Sequence, residues 1–200
     1  MAAVDDIANQ GLQLLGASQI TTLGEGSVNA NAMTLVFAPT RDALLRSHIW
    51  KFAIKRTSIT KHVTSPTFGR ANAFDLPSDY LGMLAPYPED NFEALDWIVE
   101  GVQIITDNGS PLDFRYIAQI TDPDKMDALF KKAWSAALAI ECAELLTQST
   151  SKLENVSKIF AKYISEARQA SAFESVNHQP PEDSWISARD RGLDNTRSFY

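Results

Sequence analysis

Residues 122–148, with the sequence DPDKMDALFKKAWSAALAIECAELLTQ, decide the fold of this chain. Asp122 is a capping carboxylate and Pro123 occupies a first helical position, so the pattern predicts that a helix begins here. From residue 125 onward apolar residues recur at i, i+3 and i+4, with many alanines between them. Such a helix packs closely against partners on more than one side. We therefore expect a central helix over about 123–148.

Three further segments show helical periodicity and surround this helix in the sequence. They cover about 4–16, 28–47 and 152–175. The second contains Pro39, which predicts either two helical pieces or one bent helix. The polar break at 149–151 is short, so the last two helices are expected to form an antiparallel hairpin.

The segment between the second and third helices, about 51–120, is β-rich. Three β-prone runs at 95–99, 102–106 and 114–120 predict a small antiparallel meander. Asn108-Gly109 is the strongest hairpin signal, because both residue types tolerate the positive φ of tight turns. The architecture predicted is α+β and mainly helical, a bundle of about four helices with this antiparallel insertion.

Prolines and isolated apolar residues mark the remaining segments. Residues 64–91 contain four prolines and are expected to be largely irregular. Residues 178–200 cannot bury an apolar stripe of their own and are predicted to form an extended C-terminal tail. We expect one domain over 1–177 followed by this tail.

Composition limits the classes of function. The chain has 200 residues, a formal net charge of −7 and 44% hydrophobic residues, which is typical of a globular protein with its own core. Its acidity argues against binding a phosphate backbone over the whole surface. The single cysteine cannot form an internal disulfide, no run approaches the ~20 apolar residues of a membrane helix, and the N-terminus is acidic, so a reducing cytosol is the expected compartment.

No catalytic, metal or cofactor site is predicted. The three histidines lie in different elements without a second ligand at zinc spacing, and the common phosphate-binding and nucleophile motifs do not occur. Cys142 lies among apolar residues of the central helix and is interpreted as a core residue. Acids that favour helix dipoles or belong to a solvated loop account for the carboxylate clusters, which are Asp5-Asp6, Glu89-Asp90, Asp122 and Asp124.

Two alternative functions remain open from the residues alone. A small carboxylate-dependent hydrolase would be favoured by a pocket that joins Asp75, Asp79 or Glu89 to a histidine. A DNA-binding regulator would use the one basic run, which comprises Arg46, Lys51, Lys55, Arg56 and Lys61 with His48 and His62 among them.

Several strings, in this order and spacing, resemble the tail tubular protein A family of short-tailed bacteriophages. The most specific are the Trp-x-Phe-Ala-x-x-Arg string at 50–56 and the Leu-Pro-x-Asp string at 76–79. The others are NQGLQLLG at 9–16, ITTL at 20–23, ANA at 30–32 and RDALL at 41–45. The similarity spans about residues 5–170.

This resemblance implies a structural virion protein, the head-to-tail adaptor. Copies would form a homo-oligomeric ring of about twelve subunits, whose interfaces close by rotation. The ring would lie between the portal protein and the tail nozzle, in the virion neck, after assembly in the host cytoplasm. DNA would pass through it without sequence-specific binding; no catalytic residue, cofactor or membrane is implied.

Two groups of residues are candidate contacts of such an adaptor. Aromatic anchors in an extended segment bind well in grooves, so the tail is expected to contact the portal. Its candidates are Trp185, Ile186, Arg189, Arg191, Phe199 and Tyr200. The turn after the second β-prone run is expected to contact the nozzle or a neighbouring subunit, through Asp107, Asn108, Gly109 and Ser110.

Overall fold

The computed structural model describes residues 4–84 and 97–174, and these residues form an α+β fold. Two helices precede and two follow two small antiparallel sheets in the sequence, so the predicted class is confirmed. The four helices are α1 (Val4–Leu15), α2 (Val28–Arg46), α3 (Ala128–Thr147) and α4 (Thr150–Phe173). The tail predicted over 178–200 lies outside the described residues.

Helix α3 is the central element of the helical layer. It packs against α1, α2 and α4, so the prediction of partners on several sides is confirmed. Trp134 and Phe130 are fully buried, and the Trp134 ring lies 4.4 Å from that of Phe37 in α2. The chain itself supplies these partners, so the burial pattern of α3 requires no second subunit.

The prediction that α3 begins at Pro123 is wrong. Asp122 caps a short 3-10 turn over Pro123–Lys125, accepting a hydrogen bond from the Asp124 amide. Met126 then adopts an extended conformation and is buried. The true cap of α3 is Asp127, whose Oδ1 accepts from the amides of Leu129 and Phe130 at 2.8 and 3.1 Å. Two bonded helix-end amides make Asp127 the stronger cap.

Helix α2 is a single continuous helix despite Pro39. Proline removes one backbone donor and leaves the carbonyl of Leu35 without its usual partner. The side chain of Leu35 is 78% exposed, so this turn faces solvent. Water can satisfy the carbonyl there, and the helix is not interrupted.

Within residues 4–84 and 97–174, six strands form two three-stranded antiparallel sheets instead of one meander. The first sheet has the order β1-β6-β3 and the second β2-β5-β4. Their bounds are β1 (Ile54–Ile59), β2 (Asn72–Asp75), β3 (Tyr80–Leu84), β4 (Trp97–Glu100), β5 (Gln103–Thr106) and β6 (Leu112–Ala118).

The predicted hairpin at Asn108-Gly109 is also wrong. Strand β6 pairs with β1 and β3, and neither Asn108 nor Gly109 has a positive φ. Leu112, Phe114 and Tyr116 are buried when β6 is the central strand of the first sheet, and this burial outweighs the local turn preference. The observed hairpin joins β4 to β5 through Gly101, whose φ of 59° suits a two-residue turn.

Candidate functional site

A cleft of about 900 Å³ lies on the outer face of the second sheet and is called the sheet cleft. Strand alternation places Ala73, Ile105 and Ile98 on this face, in register with one another. On the opposite face Phe74 and Ile104 are fully inaccessible, whereas Val99 at the edge strand is 38% exposed. The loop over 62–70 lines the other side of the cleft.

A histidine and a carboxylate meet at the sheet cleft. His62 Nδ1 lies 2.8 Å from Oδ2 of Asp75, and Gln103 Nε2 donates to Oδ1 of the same carboxylate at 2.8 Å. The hydrogen bond from Gln103 and the contact with His62 lower the pKa of Asp75. The backbone amide of His62 also donates to the carbonyl of Ala73 at 2.8 Å, so the imidazole is fixed against β2.

This arrangement has a defined chemical capacity. A carboxylate that accepts from Nδ1 selects the tautomer in which Nε2 is the basic nitrogen. Thr64 and Ser65, which carry hydroxyl groups, line the same cleft. Both members of the pair are accessible, since the side chains of His62 and Asp75 are 37% and 58% exposed.

The predicted contact turn, Asp107 to Ser110, lies at the rim of the sheet cleft. Asp107 lines the cleft and its carboxylate accepts from the amide of Ala71 at 2.8 Å. The carbonyl of Asn108 accepts from the Asn72 side chain, and Ser110 Oγ accepts from the Lys61 amide. These bonds hold the turn against both ends of the loop that covers the second sheet.

Large apolar side chains are exposed around the second sheet. Val63 is 98% exposed, Phe68 89% and Val102 76%. Ile98 and Val99 of β4 are also exposed. Apolar surface gathered in one region marks an interaction site more often than scattered single residues do.

A second apolar surface, the helical groove, lies between α2, α3 and α4. Its volume is about 560 Å³. Its apolar lining includes Leu35, Val36, Pro39, Ala43, Ile140 and Phe160. The sequence analysis did not predict this groove. The feature that could have indicated it is Leu35, an apolar residue on the exposed side of the helical turn at Pro39.

The other residues singled out in the sequence have structural positions. Cys142 is 2% exposed, and burial raises the pKa of its thiol to about 11, so its interpretation as a core residue is confirmed. Asp5 accepts from the amide of Leu23 at 2.9 Å. The tail candidates lie outside the described residues, as do Glu89 and Asp90; the tail group is Trp185, Ile186, Arg189, Arg191, Phe199 and Tyr200.

Asp79 of the Leu-Pro-x-Asp string joins three segments. Its carboxylate contacts the Lys55 ammonium and accepts from the Tyr116 hydroxyl at 2.8 Å. Burial opposes ionisation of Asp79, but the hydrogen bonds from Lys55 and Tyr116 outweigh it and lower the pKa. Burial, aided by Asp79, raises the pKa of Tyr116 to about 12. This cluster ties the turn before β3 to the first sheet.

The basic run does not form one continuous surface. Lys55 and Arg56 are neighbours in β1 and therefore point to opposite faces. Lys55 pairs with Asp79, and Arg46 donates to the carbonyl of Leu81. A groove that tracks a nucleic-acid backbone needs its cations along one face, which this run does not provide.

Across residues 4–84 and 97–174, no group of three or more His, Cys, Asp or Glu side chains is arranged to hold a metal ion. None of the helices in these ranges has the length and apolarity needed to cross a membrane. No protein-family model matches the chain, and a search of curated proteins finds no match.

Proposed function

We propose that the protein is a head-to-tail adaptor of a short-tailed phage, forming a ring between the portal and the tail nozzle. Each subunit of such a ring needs two different complementary surfaces, because its interfaces are heterologous. The observation that carries the proposal is the presence of two exposed apolar surfaces on different elements, the helical groove and the region around the second sheet.

The sequence strings that resemble the tail tubular protein A family are the second support for this proposal. The Trp-x-Phe-Ala-x-x-Arg string contributes Trp50, which is 1% exposed and donates from Nε1 to the carbonyl of Leu44 at 2.8 Å. Asn9 of the first string holds Ile20 of the second by two hydrogen bonds, at 2.9 and 2.8 Å. The strings therefore specify contacts that form this particular fold.

In this proposal the helical bundle forms the body of the ring and the segment from residue 178 binds the portal. The turn from Asp107 to Ser110 contacts the nozzle or a neighbouring subunit. The turn is suited to this role because the Asn72 side chain holds the Asn108 carbonyl and the Lys61 amide holds the Ser110 hydroxyl, so little conformational entropy is lost on binding.

Deletion of residues 178–200 tests the tail assignment. The truncated chain is expected to keep the thermal unfolding midpoint of the full chain and to lose binding to the portal protein of the same phage, measured by pull-down and sedimentation. Replacing Trp185 and Phe199 together by serine in the full chain is the matched test of the anchors. Undiminished portal binding by the truncated chain would contradict the assignment.

A second candidate function is the carboxylate-dependent hydrolase, which the pairing of His62 with Asp75 at the sheet cleft favours. His62 Nε2 would accept a proton from water while the water oxygen attacks an ester, and the leaving alcohol would then take that proton. Turnover of ester substrates that is lost in both His62→Gln and Asp75→Asn, and kept in His48→Gln, would support it. Equal turnover in all variants, or none in the original chain, would reject it.

A further inference from the structure

Three basic residues from segments far apart in sequence lie at one corner of the helical layer. His48 follows α2, Lys51 begins the 3-10 turn before β1, and Arg168 lies near the end of α4. The Lys51 amide donates to Ser171 Oγ at 3.4 Å, and Ser171 is one helical turn beyond Arg168. This bond attaches the two segments to each other.

The charges of Lys51 and Arg168 are not compensated by acids. Arg168 has Ile164, Ser165, Ser171 and Ala172 at the helical positions where a carboxylate would pair with it. Lys162 on the same helix does have such a partner, Glu166. Among the residues that the structure describes, neither Lys51 nor Arg168 forms an ion pair with a carboxylate.

The imidazole of His48 is held in this corner by a rigid neighbour. Its ring meets that of Trp50 edge to face at 4.8 Å, and Trp50 is buried. Burial, then the charges of Arg168 and Lys51, lower the pKa of His48. An anion beside Lys51 and Arg168 would offset their charges and favour the protonated form of His48.

We propose that His48, Lys51 and Arg168 form a binding site for a phosphate group. Arginine offers a planar pair of donors to phosphate oxygens, lysine adds a compact charge and histidine a ring donor. The phosphate is either part of a nucleic-acid backbone or a free phosphate, and both present the same oxygens. The site goes beyond the adaptor function and does not depend on it.

The test is a titration of the full chain with inorganic phosphate, followed by the NMR signals of the His48 imidazole, which His48→Gln identifies. Phosphate is expected to shift these signals and to raise the pKa of His48. Arg168→Gln is expected to weaken binding roughly tenfold, since a charged hydrogen bond to phosphate is lost. Lys51→Gln should act in the same direction.

Lys158→Gln is the matched control. Lys158 is exposed on α4, about 15 Å along the helix axis from Arg168 by the rise per residue. Lys158→Gln removes one positive charge, as Lys51→Gln and Arg168→Gln do, but away from the proposed site. Phosphate affinity in this variant is therefore expected to stay within twofold of that of the original chain. Equal thermal unfolding midpoints of the three variants would show that the fold is kept.

A second arm identifies the source of the phosphate. A short DNA duplex that displaces phosphate from His48, with a salt dependence that falls by about one counterion in Arg168→Gln, assigns the site to a nucleic-acid backbone. Phosphate binding that the duplex does not displace assigns it to a free phosphate. Failure of both ligands to move the His48 signals would overturn the proposal, as would equal weakening by Lys158→Gln and Arg168→Gln.

Discussion

The helical layer and the outer face of the second sheet are held by different contacts. In the helical layer, apolar side chains of α1, α2 and α3 are buried and backbones approach closely; a Cβ added to Gly11 would lie 2.9 Å from the carbonyl oxygen of Ser135. Around the second sheet, polar contacts such as Asp75 with His62 fix the loop, and Phe68 is left exposed. The outer face of the second sheet therefore keeps apolar surface that is available for contacts.

The largest effect is expected in the aromatic core of the helical layer. Trp134→Ala removes a fully buried side chain that packs on Phe37 and Phe130, and should lower the free energy of unfolding by about 3–5 kcal/mol. Phe68→Ala at the sheet cleft removes a side chain that is 89% exposed and should change it by less than about 0.5 kcal/mol. Chemical denaturation measures both. Similar losses in the two variants would remove the contrast between the regions.

The second-largest loss of stability is expected where α1 approaches α3 closely. Gly11→Ala forces a Cβ against the backbone oxygen of Ser135 and should cost about 1–3 kcal/mol. Gly24→Ala is the matched control, because nothing lies within 4 Å of the added Cβ there. Denaturation midpoints of the two variants test this contact. A stable Gly11→Ala protein would show that the helices can separate without cost.

The Asp79 cluster lies on the first sheet and is expected to have an intermediate effect. Asp79→Asn weakens the contacts with Lys55 and Tyr116 and should cost about 1 kcal/mol at neutral pH. Because the pKa of Asp79 is lowered in the folded protein, its contribution is present above the ordinary carboxyl pKa and is lost as pH falls through the lowered value.

Denaturation at several pH values separates this contribution from others. The stability difference between the original chain and Asp79→Asn should be constant near neutrality and shrink below about pH 4. Asp113→Asn, at an exposed position of β6, should show no such difference. If the difference in the free energy of unfolding between the original chain and Asp79→Asn stayed the same in acid, Asp79 would act through packing and not through its charge.

The smallest effect on stability, less than about 0.5 kcal/mol, is expected at the exposed apolar residues of the second sheet. Val102→Ser changes a side chain that is 76% exposed in the β4–β5 turn. It should leave unfolding unchanged and weaken assembly if this surface contacts a neighbour or the nozzle. Val28→Ser, at a position 70% exposed in α2, is the same substitution in the other region. Equal assembly by both variants, measured by sedimentation, would argue against a contact at the second sheet.

Local patterns predicted the helices better than the strand pairing. The 3.6-residue periodicity of α3 and α4 follows from burial along a single helix, so it can be read within one segment. Pairing of β6 with β1 depends on which distant strand buries Phe114 and Tyr116, and no local turn signal carries that information. For the same reason Asn108-Gly109 suggested a hairpin that does not form.

The candidate sites also depend on contacts between distant segments, which local sequence patterns do not reveal. His62 and Asp75 were both noted in the sequence, but their contact depends on the loop folding back over β2. Arg168 gave no signal at all, because it comes near His48 only when α4 packs beside the 3-10 turn that begins at Lys51. The exposed side of the Pro39 turn was a visible signal for the helical groove that periodicity alone did not use.

Native mass spectrometry of the purified chain, alone and mixed with the portal protein of the same phage, tests the adaptor function most directly. An adaptor is expected to join the portal as a ring of 22.1 kDa subunits with one defined stoichiometry. A chain that remains monomeric and unbound in the presence of the portal would contradict it.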